Sequence, residues 1–347
     1  MLALVYHGPM DLRVEEIPTP EIGPDEILLK VHSASICGTD MRIYHGGHRK
    51  YPVGTVRIPG HELVGEITQV GSRVKDFTAG QCVFVAPNIG CGHCRQCISG
   101  NNNRCANYQA IGITMDGGFA EFMRIPAAFI RQGNLFHVGD DVDPGVAALT
   151  EPFACVLRGQ EPLHIRAGET VLVIGAGPIG IMHAKLARLN GAGKILVSEY
   201  NAARAAQAAE LGVDRVIVPT QEDLAEVIQE ETGGEGADVI IVAAPAHSAQ
   251  EQALSLASIG GRINFFGGLP KDRPTIQFDS NLVHYKELMV TATTACSTQD
   301  CWRASEIINS KRVDLSPLIS SRFPLKEALQ AFASMEEEKG LKVLLEP

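Results

Sequence analysis

Positive charge is in deficit: 30 Lys and Arg stand against 40 Asp and Glu, a net charge of −10 in 347 residues. A surface of that sign repels a phosphate backbone, and no local basic groove offsets it, which excludes general nucleic-acid binding. Long apolar runs are also lacking. The longest, Thr170 to Ala187, is broken by three Gly, a Pro, a His and a Lys, so no membrane span is expected. Met1 to Pro9 is too short an apolar run for a signal peptide and has no basic lead, and the expectation is a cytoplasmic protein with a small-molecule substrate. There is no internal repeat and no low-complexity segment. The nine cysteines are odd in number, and in a reducing compartment they suggest metal ligands or free thiols before disulfides.

What is present is material for two cores: 45% hydrophobic residues in a chain of about two domains' length, at roughly 150 residues each. Up to about residue 150, short alternating runs dominate. Glu26–Val31, Leu63–Val70, Gln81–Val85 and Phe119–Ile125 are each bounded by Gly, Pro or Asp, the pattern of a barrel-like β unit. The period changes from about Thr170. Apolar runs at 170–174, 194–198, 215–218, 238–242 and 262–266 alternate with helical stretches at 178–190, 201–211, 222–232 and 247–258. That alternation predicts an α/β domain at 151–295, a doubly wound parallel sheet covered on both faces. A helix near 298–310 and a strand-like run from Leu341 complete the chain.

Gly175-Ala-Gly177-Pro178-Ile179-Gly180 follows a predicted strand and opens a predicted helix. Glycine lets the backbone turn tightly and approach a pyrophosphate, whose charge then rests on helix amides. Glu199 ends the next strand, 24 residues after Gly175, where an acid would bind the adenosine ribose hydroxyls and repel a 2′-phosphate. NAD is therefore expected over NADP. The competing account of Glu199 is a solvated acid at a helix start. Arg204, near the same loop, could hold a phosphate but is expected to pack near the adenine.

Cys91, Cys94, Cys97 and Cys105 form C-x2-C-x2-C-x7-C in a Gly-rich loop. Four thiolates so close can close a tetrahedral zinc shell with no open position, a structural site. Spacing alone leaves an iron–sulfur cluster open. A second constellation is scattered: Cys37-Gly-Thr39-Asp40, Gly60-His61-Glu62 and Glu151-Pro152. One thiolate, one imidazole and one or two carboxylates suit a zinc with an open position, while a satisfied core histidine and a buried thiol remain the plain alternative.

The joint order of these motifs, with Gly117-Gly-Phe119-Ala-Glu between the lobe and Glu151, resembles the zinc-dependent medium-chain alcohol dehydrogenase family over nearly the whole chain. Within it, the polyol (sorbitol/iditol) and threonine dehydrogenase branch is most similar, since Glu62 and Glu151 occupy positions where that branch has Glu. The resemblance implies a GroES-like β-barrel catalytic domain at 1–150, with 296–347 returning to it, and a Rossmann domain at 151–295. It also implies two zincs per chain, NAD, and a homotetramer or homodimer. Cys37, His61 and Glu62 would ligate the catalytic zinc, with Glu151 a ligand or the holder of a water, and the four cysteines would hold the structural zinc. Hydride would pass from a secondary alcohol to nicotinamide, with Thr39 starting proton removal. Gly267, Gly268, Thr293 and Thr294 would pass near the nicotinamide.

The family's relay histidine, five residues after the first ligand, is replaced by Arg42; His45 could substitute, or be a surface histidine. Threonine dehydrogenases carry a His three positions before the first lobe cysteine; here that residue is Asn88, which demotes threonine and could hydrogen-bond a hydroxyl. A sugar alcohol is the expected substrate. The loop with Arg42, His45, His48, Arg49 and Lys50 makes a sugar-alcohol phosphate the next alternative, then L-threonine. Phe119 is a candidate pocket aromatic or a core residue. Cys82, Cys155, Cys296 and Cys301 show no partner pattern and are expected to be plain thiols.

Overall fold

A computed structural model describes residues 1–337 and 340–347. The chain divides into two compact units, Met1–Ala154 with Cys296–Pro347, and Cys155–Ala295. In the first unit, β1 (Leu2–Gly8) and β2 (Asp11–Glu16) form an antiparallel hairpin. It continues with β3 (Ile27–Ser35), β4 (Glu62–Val70), β5 (Cys82–Val85), β6 (Asn88–Ile89), β7 (Gln109–Ala110), β8 (Phe122–Ile125) and β9 (Leu135–His137). The second unit holds β10 (Thr170–Ile174), β11 (Lys194–Ser198), β12 (Arg215–Ile217), β13 (Ala237–Val242), β14 (Ala257–Phe265) and β15 (Met289–Ala292). The first unit is then completed by β16 (Ile319–Pro324) and β17 (Lys342–Glu346).

Seven strands of the first unit form one sheet, ordered β16-β17-β3-β4-β5-β9, with β8 also on β3. Position 35 on β3 faces Leu344 of β17 on one side and Glu62 of β4 on the other. Because alternate residues share a face, Lys342 and Glu62 project from the same side of that strand trio. The core here gathers Leu29, Val31, Ile67, Val83, Phe119 and Phe129.

The second unit is a six-stranded sheet ordered β12-β11-β10-β13-β14-β15, parallel throughout. Counted from β10 this is 3-2-1-4-5-6, the doubly wound Rossmann order, whose strand order reverses between β10 and β13. Val171, Leu172, Val173, Ile240 and Ile241 are fully buried because helices cover both faces. The helix at 247–258 ends earlier than its periodicity predicts. Ala257 is already extended and opens β14, with Gly260 in the left-handed region at φ +73°.

Candidate metal centres and dinucleotide site

In the first unit, Cys37 stands at the N-cap of the helix Gly38–Tyr44, where its Sγ accepts the Thr39 N–H at 3.4 Å. Asp40 Oδ2 accepts the Cys37 N–H at 2.9 Å and closes a capping box. His61 and Glu62 enter β4 directly after Gly60, which adopts φ +94°; a Cβ there would lie 2.6 Å from the Phe119 ring. The ligand atoms of Cys37, His61 and Glu62 all lie within 4.8 Å of one another.

Asp40 Oδ1 lies 3.6 Å from His61 Nδ1, both side chains buried. That contact turns Nδ1 toward the carboxylate and leaves Nε2 for a metal, an arrangement in which the outer acid fixes the imidazole's orientation. Burial disfavours the imidazolium, but the Asp40 carboxylate and the Cys37 thiolate outweigh it and hold His61 well above the usual histidine range. Glu151 is also buried. Its carboxyl is held well above the usual range, by burial first and then by Cys296.

The four lobe cysteines are free thiols. Their Sγ–Sγ separations include 3.5 Å (Cys94–Cys97), 3.8 Å (Cys94–Cys105) and 4.0 Å (Cys91–Cys97). A tetrahedral ion with bonds of about 2.3 Å sets sulfur atoms about 3.8 Å apart, so the set fits one zinc, whereas a multi-iron cluster has no room. A Cβ at Gly90 would sit 2.3 Å from Cys97 Sγ, so the loop closes on the thiols only with glycine there. Cys91 is drawn down to about 6 by the backbone N–H groups of His93 and Cys94, and burial pushes Cys97 up to about 12.

In the second unit the glycine turn follows β10. Gly175 adopts φ +106°, and a Cβ at Gly180 would meet the Gly175 carbonyl at 1.8 Å. Gly177 caps the helix Pro178–Leu189, with Pro178 in its first turn and Ile179 next to it. Glu199 is buried at the end of β11. Its Oε2 accepts the Ala176 N–H and its Oε1 the Asn201 N–H, each at 2.8 Å. Arg204 lies in the first turn of the helix Ala202–Ala209, its N–H on Asn201 Oδ1. Gly267 and Gly268 follow β14, and a Cβ at Gly267 would meet the Ala244 carbonyl at 2.7 Å. Thr293 and Thr294 follow β15, and Thr293 Oγ1 is buried with no hydrogen-bond partner. All these glycines and threonines lie at the carboxyl ends of parallel strands, where doubly wound sheets bind ligands.

Phe119 and His45 take the plainer of the two readings open to each. Phe119 is fully buried in the barrel core, edge-on to Phe332 with ring centroids 6.1 Å apart, and is a core residue. Asn88 is buried, and its Nδ2 donates to the Cys296 carbonyl at 3.1 Å. Its own carbonyl accepts Asn102 and Asn134 Nδ2, both at 2.8 Å. That residue fastens the chain ahead of the helix Thr298–Asn309. His45 is half exposed and paired with Glu336 at 3.3 Å, as a surface histidine, and Arg42 is exposed. Lys50 lies over the Tyr108 ring at 5.9 Å.

Three residues near the centre carried no sequence signal of a role there, or one not used. Asp40 stands in the sequence only within the run Cys37-Gly-Thr39-Asp40, and the structure makes it the N3 acid of a capping box. Cys296 is a buried free thiol whose Sγ lies 3.5 Å from both Glu151 Oε1 and Cys301 Sγ. Lys342 donates to Glu62 Oε2 from the far end of the chain.

Residues 23–134 match the alcohol dehydrogenase GroES-like domain, and residues 178–310 match the zinc-binding dehydrogenase domain. The chain is 34% identical to L-threonine 3-dehydrogenase of Yersinia pestis (strain Pestoides F) over 333 residues, 95% of this chain and 94% of that one. Among solved structures, a provisionally named zinc-binding dehydrogenase of Sinorhizobium meliloti 1021 with NADP bound is 32% identical (TM-score 0.92, covering 100% of this chain and 99% of that one). The 2R,3R-butanediol dehydrogenase of Bacillus subtilis is 26% identical (TM-score 0.91, covering 100% and 99%). The chain belongs to the zinc-dependent medium-chain alcohol dehydrogenase family. Within that class it is an NAD(P)-dependent zinc enzyme. Among the described residues, no helix is long and apolar enough to cross a membrane.

Proposed function

We propose that this chain oxidises a secondary alcohol to a ketone with NAD, and that the alcohol is a sugar alcohol. The observation that carries the reaction class is the convergence of Cys37, His61 and Glu62, whose ligand atoms lie within 4.8 Å of one another. In this reading those three residues hold the catalytic zinc. Glu151 either ligates it or holds a water beside it, and Cys91, Cys94, Cys97 and Cys105 hold the structural zinc.

When bound, the catalytic zinc supplies the Lewis acidity that makes a substrate hydroxyl easier to deprotonate, and nicotinamide supplies the hydride acceptor. Thr39, in the first turn after Cys37, takes the hydrogen bond from that hydroxyl. Asp40 keeps His61 turned the right way. Gly175, Gly177 and Gly180 bring backbone amides to the pyrophosphate. Glu199, fixed at the glycine turn, accepts the ribose hydroxyls and would repel a 2′-phosphate, which supports NAD although the Sinorhizobium relative carries NADP.

The polyol reading draws support from the 2R,3R-butanediol dehydrogenase likeness, since both substrates are hydroxyls on neighbouring carbons. A phosphorylated polyol is less well supported, because His45 and Lys50 of the basic loop are engaged with Glu336 and Tyr108. L-Threonine is the second reading, favoured by 34% identity across 95% of the chain. Initial rates of NADH formation decide among them, using free hexitols and pentitols, their phosphates, 2,3-butanediol and L-threonine, each with NAD and NADP. Preference for free polyols with NAD is expected. Turnover of threonine alone overturns the substrate assignment, and activity confined to phosphorylated forms moves it to Arg42, Arg49 and Lys50.

A further inference from the structure

Lys342 and Glu62 make an ion pair inside the barrel, with side chains 4% and 0% exposed. They stand 280 positions apart and meet because β17 and β4 flank β3 at Ser35. An ammonium withdrawn from water at such a place is costly unless its charge is used. The carboxylate it meets is divided. Glu62 Oε2 accepts from Lys342, whereas Oε1 is buried with no hydrogen-bond partner. Cys37, His61 and Glu62 cluster at this point, with Asp40 3.6 Å from His61, so the acidic groups Cys37, Asp40 and Glu62 stand against the ammonium of Lys342 and the imidazole of His61.

We propose that Lys342 is a positioning residue for the catalytic metal. By occupying one oxygen of Glu62 it limits that residue to offering the ion a single oxygen, and it stands in for the ion's charge when the centre is empty. The inference rests on Cys37, His61 and Glu62 being the ligands. It makes the ion pair a device that lets the barrel fold before metal is loaded and then sets how the metal is held. A lysine serving only to fill space would stabilise the empty and loaded forms alike.

The test compares wild type, Lys342→Met and Lys342→Arg, each metal-free and zinc-loaded, by metal content, thermal unfolding, and visible absorption with cobalt(II) in place of zinc. Metal-free Lys342→Met is expected to lose on the order of 10 °C in Tm, as for a buried charge left unpaired, and the zinc-loaded form less than half of that. Cobalt-loaded Lys342→Met is expected to absorb more weakly in the visible, because a second Glu62 oxygen raises the coordination number. Lys342→Arg restores both properties. Equal loss of Tm in the two forms, or an unchanged cobalt spectrum, overturns the inference. If metal-free Lys342→Met does not fold, the Glu62→Gln/Lys342→Met double variant decides. Its folding without metal supports the counter-ion role, and its failure to fold overturns it. Wild type that holds only one zinc per chain would instead bring down the ligand assignment itself; two zincs with an indifferent Lys342→Met bring down only the part given to Lys342.

Discussion

Glu199 Oε2 accepts the backbone N–H of Ala176 at 2.8 Å, so the acid that follows β11 is tied to the glycine turn that follows β10. Its other oxygen is held by Asn201. The carboxylate cannot swing aside to admit a 2′-phosphate without giving up two backbone hydrogen bonds.

Glu199→Ser is therefore expected to raise kcat/KM for NADP relative to NAD by at least about tenfold, the equivalent of about 1.4 kcal/mol. Initial rates with both dinucleotides measure it. An unchanged ratio would place the discrimination elsewhere in the loop.

Gly90→Ala puts a methyl group 2.3 Å from Cys97 Sγ and 3.2 Å from Cys105 Cβ. Neither neighbour can yield while both remain on one ion. Purified Gly90→Ala is expected to carry one zinc fewer per chain than wild type and to unfold at lower temperature. Metal analysis alongside calorimetry checks this, and full zinc content would show that the lobe opens to accommodate the methyl.

Asp40→Asn keeps the shape of the cap but removes the charge facing His61 across 3.6 Å. Loss of such an outer partner weakens zinc binding by about 10–100-fold. Competition with a chromophoric chelator reads the affinity of the catalytic centre. Wild-type affinity in the variant would reduce Asp40 to a helix cap.

His183 lies fully buried in the helix Pro178–Leu189, edge-on to Phe266 at 4.7 Å, with Gln160 Nε2 3.2 Å from its Nδ1. Burial pushes its pKa down to about 3 from the ordinary 6.5. Between those values the unfolded chain binds a proton that the folded chain refuses. The stability is thus complete above pH 6.5 and is lost as pH falls toward 3, at up to about 1.4 kcal/mol per pH unit. Urea unfolding from pH 7 to 4.5 should show a shallower decline for His183→Gln than for wild type. Parallel declines would assign the acid sensitivity to other groups.

Much of this molecule is determined by short-range sequence. The change of period near Thr170 marks the parallel sheet because strands buried on both faces must be continuously apolar. The glycine turn, Glu199 and the four-cysteine lobe are each confined to a few consecutive residues or one strand–helix–strand unit, so spacing marks them as candidate sites, and the Sγ separations and the Glu199 hydrogen bonds then decide their geometry. Asp40 is legible only within the run Cys37-Gly-Thr39-Asp40; its capping of the helix Gly38–Tyr44 and its approach to His61 come from the structure.

Tertiary structure decided the rest. Phe119 and Asn88 have residue types that suit a pocket, yet one is enclosed by the barrel core and the other is bound to Cys296, 208 positions away. Cys296 lies beside Glu151 across 145 positions, and Lys342 reaches Glu62 across 280. No local pattern encodes such pairs. A side chain's partner depends on which strands lie next to each other and in what register, and that is settled only when β17 and β4 take their places on either side of β3.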